Sequence, residues 1–168
     1  MAMITKIRLQ NWKSFKDSTI YIDSLGILIG TNASGKSNVL DAFAFLRAVG
    51  EGKNLLDAIQ TVRGGEDWII RRGEDSFCIE IEIEIDGSSY LLDLRVIRKD
   101  SVFSYGPCEI HRIGIGDDDV VPGKFMDSAR NILWKTYGVS ESLDFWAKIY
   151  ATLRSIIILD PVPAKMRD

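Results

Sequence analysis

From Phe77 to Asp86 the chain alternates strictly: Phe77, Ile79, Ile81, Ile83 and Ile85 are apolar, and Cys78, Glu80, Glu82, Glu84 and Asp86 stand between them. A period of two puts one face of a strand into a core and leaves the acidic face to water. Asp86-Gly87-Ser88-Ser89 supplies the turn residues of a hairpin, and Tyr90 to Arg98 reads as its returning arm. Shorter strands are expected at Val102 to Tyr105 and at Glu109 to Ile115, before an acidic surface loop from Gly116 to Asp119. The row Glu80, Glu82 and Glu84 has the residue type of a metal cluster, but its period on an outer face reads as solvation.

Upstream, the first thirty residues read as strand, turn, strand, strand. Ile4, Ile7 and Leu9 are apolar, a polar turn runs from Asn11 to Ser18, and Ile20 and Ile22 alternate with polar neighbours. A turn at Asp23 to Gly26 leads into the apolar run Leu25 to Ile29. The period then becomes helical. Ser37 to Val49 carries Val39, Leu40, Phe43, Ala44 and Leu46 as an apolar face, with Gly50 as a stop signal, and a shorter helix is expected from Asn54 to Thr61. In the last third, Lys124 to Tyr137 and Ser140 to Arg154 have spacings near the helical period, with Trp134, Phe145, Trp146, Ile149 and Leu153 as candidate core. Ile156 to Leu159 is a continuous apolar run ending at Asp160-Pro161, the pattern of a buried parallel strand.

Between the apolar run at Leu25 to Ile29 and the helix stands Gly30-Thr31-Asn32-Ala33-Ser34-Gly35-Lys36-Ser37, a complete G-x-x-x-x-G-K-S phosphate-binding loop in the strand-to-helix context the motif requires. Glycines at both ends let the backbone wrap so that its N–H groups converge on phosphate oxygens, and the helix N-terminus adds its positive dipole end. Lys36 is then expected at the β- and γ-phosphates of ATP, and the Ser37 hydroxyl on Mg²⁺.

Composition adds little to this. At 168 residues and 46% hydrophobic content the chain is large enough for a core, and a net charge of −3 gives no overall basic character for nucleic acid. No apolar stretch has the length of a membrane span and no signal-peptide pattern opens the chain, so a cytoplasmic protein with no membrane contact is expected. Cys78 and Cys108 are too isolated for a disulfide framework or a zinc site, and His111, the single histidine, has no ligand partners nearby in sequence.

The opening Ile4-Thr5-Lys6-Ile7-Arg8-Leu9-Gln10-Asn11-Trp12-Lys13-Ser14-Phe15-Lys16-Asp17, followed by the loop and Asn38, resembles the start of ABC-type ATPase heads of the SMC, RecF and OLD-like class, among them compact AAA family ATPases of bacterial DNA-repair and phage-defence operons. The resemblance implies that Asn11, Lys13, Ser14 and Phe15 sit where such heads hold adenine, ribose or phosphate, and that Asn38, after the loop, is among the nucleotide-binding residues. It also implies that Arg63, in Val62-Arg63-Gly64-Gly65, reaches toward the α-phosphate side, with Arg71 or Arg72 as substitutes.

By the same resemblance Ile156 to Asp160 leads into the Q-loop, with Asp160 at the glutamine position near the metal. A Walker B reading of that strand is disfavoured by Pro161, which stands where its glutamate belongs. The implied protein is one incomplete domain over 1–168: strands, phosphate loop and helix in 1–61, an antiparallel sheet in 62–122, and helices with a core strand in 123–168. Its fold class is the α/β N-terminal lobe of a P-loop NTPase, with Leu25 to Ile29 beside Ile156 to Leu159 in a mixed core sheet flanked by the antiparallel sheet.

Walker B and signature motifs would come from a C-terminal half or a partner polypeptide, for a head that forms a homodimer through nucleotide and can contact DNA. The alternatives are a self-contained P-loop kinase or nucleotide-dependent transferase, which the long hairpin after the loop helix disfavours, and a non-catalytic nucleotide-binding module.

Overall fold

The computed structural model describes residues 2–23, 27–31, 34–106, 109–113, 120–121, 123–126, 133–136 and 143–158. The elements are β1 (Ala2–Trp12), β2 (Phe15–Tyr21), α1 (Lys36–Gly50), α2 (Leu55–Gln60), α3 (Gly65–Trp68), β3 (Ser76–Ile85), β4 (Ser88–Lys99), β5 (Val102–Tyr105), β6 (Glu109–Ile113), β7 (Val120–Val121), β8 (Gly123–Met126), β9 (Leu133–Thr136) and α4 (Leu143–Arg154).

A seven-stranded sheet runs β2-β1-β3-β4-β6-β7, with β5 also on β4, and all of these pairings are antiparallel. The hairpin forms in the register the alternation predicts, Ile79 opposite Leu94 and Ile83 opposite Tyr90. Its inner face, with Phe77, Ile79, Ile81, Ile83, Ile85, Leu92, Leu94 and Val96, is buried.

The first strand contributes to that face despite an uneven spacing. Ile4 and Ile7 are both buried because the register against β3 shifts between Ile4 and Lys6, a bulge that inserts one residue. A second irregularity lies at Asn11, whose φ of 51° turns Trp12 back onto the face of Leu9. Trp12 then closes against the helix: its ring lies 5.0 Å from Phe77 and 5.8 Å from Phe45, and all three are fully or almost fully buried. Burial of each such ring stabilises by about 1.5–3 kcal/mol.

α1 and α4 cover this face. Asn54 caps α2 by accepting from the Asp57 N–H at 2.9 Å. The helices α1 and α4 approach at Gly50, where a Cβ would stand 2.6 Å from Leu153 Cβ, so no larger residue fits there without separating them. Phe145 packs edge-on to Tyr90 at 4.8 Å, and Trp146, Ile149 and Leu153 are buried as expected. On α1 the buried face is Val39, Ala42, Phe45, Leu46 and Val49, whereas Leu40, Phe43 and Ala44 are half-buried at its margin.

Several expectations are corrected. The turn expected over Asn11 to Ser18 is only Lys13-Ser14, because β2 begins at Phe15 opposite Trp12. The helix expected over Lys124 to Tyr137 is instead the hairpin of β8 and β9, with Phe125 opposite Trp134. Short strands with aromatic and β-branched residues take their conformation from a partner, and four positions carry too few repeats to distinguish the periods. The expected parallel pair is also absent among the described residues. Residues 27–29 and 156–158 form no strand, with Ile29 90% and Ile157 80% exposed. An apolar run becomes a buried strand only when hydrogen-bonding neighbours lie beside it, and no described strand lies beside these. Trp134's side chain, Cys108, the loop 116–119 and Asp160 lie outside the described residues.

Candidate functional site

The phosphate loop leads into α1, where Gly35 is the N-cap at φ 92°. This conformation favours glycine, and a Cβ here would also stand 2.8 Å from the tip of the Phe15 ring. Among the described residues no side chain caps the helix, and no acid occupies its first turn. The Asn38 and Val39 N–H groups bond the Gly35 carbonyl at 2.9 and 3.1 Å, and a helix start with no side-chain cap and no acid favours an anion beside it.

Lys36 folds back over its own loop. Its ammonium donates to the carbonyls of Gly30 and Thr31, the latter at 2.6 Å, and to Ser34 Oγ at 3.3 Å. Gly30, Thr31, Ser34 and Ser37 are exposed, and Asn32 and Ala33 lie outside the described residues. Ser37 is thus exposed at the helix start, a position compatible with a magnesium ligand.

The residues after β1 brace α1. Trp12 Nε1 donates to the Asn38 carbonyl at 2.8 Å, and Asn38 Nδ2 donates to Ser14 Oγ at 2.7 Å. Asn38 and Ser14, expected at nucleotide, hold each other in this structure. Lys13, with φ 49°, is almost fully buried and pairs with Asp41 Oδ2 at 2.5 Å. Arg63 reaches the same carboxylate, Nε to Asp41 Oδ1 at 2.9 Å, and donates through Nη2 to the Ser37 carbonyl at 2.6 Å. Lys13 and Arg63, 50 positions apart, therefore meet beside the loop helix, and Lys13 also donates to the Arg63 carbonyl at 2.7 Å.

Sequence reasoning missed Asp41. Its one signal was a lone acid in the apolar stretch Val39-Leu40-Asp41-Ala42-Phe43. Arg71 instead lies 3.9 Å from Glu74.

The opposite face of the sheet is a charge ladder. Arg8 pairs with Asp17 at 2.7 Å and with Glu80 at 3.3 Å, and Lys6 with Glu82 at 3.3 Å. Arg8 and its hydrogen bonds hold the Asp17 carboxyl below the usual carboxylate range. The donor atoms of Cys78, Glu80 and Asp93 lie within 4.8 Å of one another. They are already engaged: the Cys78 thiol donates to Asp93 at 2.9 Å, and Glu80 holds Arg8. Burial, then the Asp93 carboxylate, pushes the Cys78 thiol up. A depression of about 400 Å³ on this face, lined in part by Gln10, Lys16, Cys78 and Arg95, includes no phosphate-loop residue among the described residues.

A family of AAA ATPase domains matches residues 3–157. The chain belongs to the AAA ATPase domain family. Among curated proteins, this AAA ATPase domain is 33% identical over 95 residues to a DNA double-strand break repair Rad50 ATPase of Sulfolobus acidocaldarius, covering 56% of the chain and 10% of that protein. It is 33% identical over 113 residues to the corresponding protein of Thermoplasma volcanium, covering 67% and 11%. It is 39% identical over 56 residues to a chromosome partition protein Smc of Methanococcus voltae, covering 33% and 5%.

The chain thus spans about a tenth or less of the length of these relatives. They bear out the resemblance to SMC- and RecF-like ABC-type heads, and the α/β fold class of an N-terminal ATPase lobe. No helix among the described residues is long and apolar enough to cross a membrane.

Proposed function

We propose that this chain is the ATP–Mg²⁺-binding N-terminal lobe of an ABC-type ATPase head, and that a C-terminal half or partner polypeptide completes it for hydrolysis. Gly30, Thr31, Asn32, Ala33, Ser34, Gly35 and Lys36 form the phosphate cradle, with Lys36 exchanging its loop carbonyls for phosphate oxygens. Arg63 supplies a second cation from beside the helix, and Lys13, Ser14 and Asn38 hold the cradle's supports in place. Ser37, with Asp160, would hold magnesium, which neutralises phosphate charge when bound. The site's own contribution is positional: a helix start with no side-chain cap and fixed cations meet the triphosphate without rearranging the helix.

The observation that carries the incomplete-head reading is exposed apolar side chains at two places in the chain. Ile27, Leu28 and Ile29 lead directly into the phosphate loop, and Ile157 follows α4; each is at least 41% exposed. Apolar chain of this kind beside a nucleotide loop fits a sheet whose remaining strands come from elsewhere. Homodimerisation around two nucleotides and DNA contact follow from this reading. The relatives' names favour DNA repair or chromosome handling over phage defence as the setting. The charge ladder does not offer DNA a basic surface, so such contact would fall elsewhere in the assembly.

A phosphate-release assay on the chain with ATP and Mg²⁺ tests the incomplete head. The expected result is no turnover above the level of a Lys36→Ala control. Robust Lys36-dependent turnover would instead favour a self-contained nucleotide-dependent enzyme.

A further inference from the structure

We infer that Asp41 is a positioning residue for the nucleotide site: it holds the Arg63 guanidinium at a fixed angle beside the phosphate loop. The inference rests on the nucleotide-binding reading above and adds to it a residue that contacts no nucleotide. Asp41 is 5% exposed, on a helix face otherwise formed by Val39, Ala42, Phe45 and Leu46. A carboxylate taken from water into such a place is unfavourable unless it is paired. Both its oxygens are used, one by Lys13 and the other by Arg63.

The arrangement goes beyond neutralisation, for which Lys13 alone suffices. Arg63 has a side chain 53% exposed, yet it is anchored twice on one edge, through Nε to Asp41 and through Nη2 to the Ser37 carbonyl. Two anchors on a planar group fix its plane. Among the described residues Nη1 has no partner, so that side of the fork can meet an anion, and a guanidinium held in advance loses little freedom when it does so. The second anchor is the backbone of Ser37, the candidate magnesium ligand, so one carboxylate sets the relation between the loop after α2 and the start of α1. Lys13 completes the ring by holding both Asp41 and the Arg63 carbonyl.

The test is calorimetric titration with ATP and Mg²⁺ of the wild-type chain, Asp41→Asn, Arg63→Ala, Arg63→Lys and the Asp41→Asn/Arg63→Ala double variant, each with a thermal melt. Asp41→Asn and Arg63→Ala should each weaken ATP binding roughly tenfold, the scale of one misplaced charge-assisted hydrogen bond. The double variant should bind no more weakly than Arg63→Ala. Arg63→Lys should resemble Arg63→Ala, because an ammonium cannot hold both anchors in one plane. If Asp41→Asn fails to fold, Arg63→Lys still decides, since it leaves the buried pair with Lys13 intact.

Wild-type affinity in Arg63→Lys would overturn the inference, as would an Asp41→Asn effect that persists undiminished without Arg63. Lys36→Ala, run in parallel, distinguishes the two failures. Unchanged ATP binding in that variant removes the phosphate-loop reading itself, whereas lost binding leaves that reading standing whatever Asp41 does.

Discussion

Replacing Gly35 with alanine should damage both the fold and the site, by amounts that the structure separates. The residue sits at φ 92°, outside the region comfortable for a side chain, and holding alanine there costs about 1–3 kcal/mol. The new methyl would also stand 2.8 Å from Phe15 Cζ and 3.2 Å from Cε1, so the ring must move by several tenths of an ångström. Phe15 is half-buried on the edge strand and can yield, which puts this contact near the low end of overpacking, about 1 kcal/mol. The sum, about 2–4 kcal/mol, corresponds to a fall in melting temperature of roughly 4–16 °C for a domain of this size.

Gly52→Ala is the internal control, with φ 77° but nothing within 4 Å of its added methyl. It should lose about 1–3 kcal/mol from the backbone alone and keep wild-type ATP affinity. Gly35→Ala should bind ATP at least about tenfold more weakly, because relief of its strain turns the first N–H groups of α1 away from the phosphate. Thermal melts and ATP titrations on both variants measure this. Equal melting losses with equal, undiminished ATP affinity would refute the placement of the anion site at this helix start.

Two further outcomes follow from the outer face of the sheet. Because burial and Asp93 keep the Cys78 thiol protonated, its alkylation by iodoacetamide at pH 8 should be about a hundredfold slower in the native chain than in denaturant; peptide mass spectrometry reads this, and similar rates would contradict it. The Asp17 carboxyl titrates lower when folded, so its contribution is present above the usual carboxylate range and is lost as pH falls through the lowered value. The advantage in melting temperature of wild type over Asp17→Asn should therefore shrink from pH 6 to pH 3, and an advantage that grows toward acid would contradict the Arg8 pairing.

What the sequence revealed depended on whether a pattern had only one structural solution. The hairpin from Phe77 to Arg98 did, since ten alternating positions in β3 leave no other face for Ile79, Ile81 and Ile83. The phosphate loop did as well, because its glycines and lysine are fixed by spacing and α1 begins at Lys36. Leu25 to Ile29 and Ile156 to Leu159 were legible as apolar runs, but strand pairing belongs to neighbours and cannot be read from one segment. The segment around Phe125 and Trp134 fitted a helical spacing until cross-strand pairing decided otherwise. Asp41 was hidden for a further reason: its partners Lys13 and Arg63 lie 28 and 22 positions away, and only the packing of α1 against the sheet brings them to it.

Calorimetric titration of the chain beside Lys36→Ala decides whether this lobe holds ATP–Mg²⁺ through its phosphate loop. Saturable binding is expected that requires Mg²⁺ for full affinity and is lost in the variant, whose melting temperature should match wild type because, among the described residues, the Lys36 ammonium bonds groups of its own exposed loop. Binding of equal strength in both proteins, or none in either while both remain folded, would contradict it.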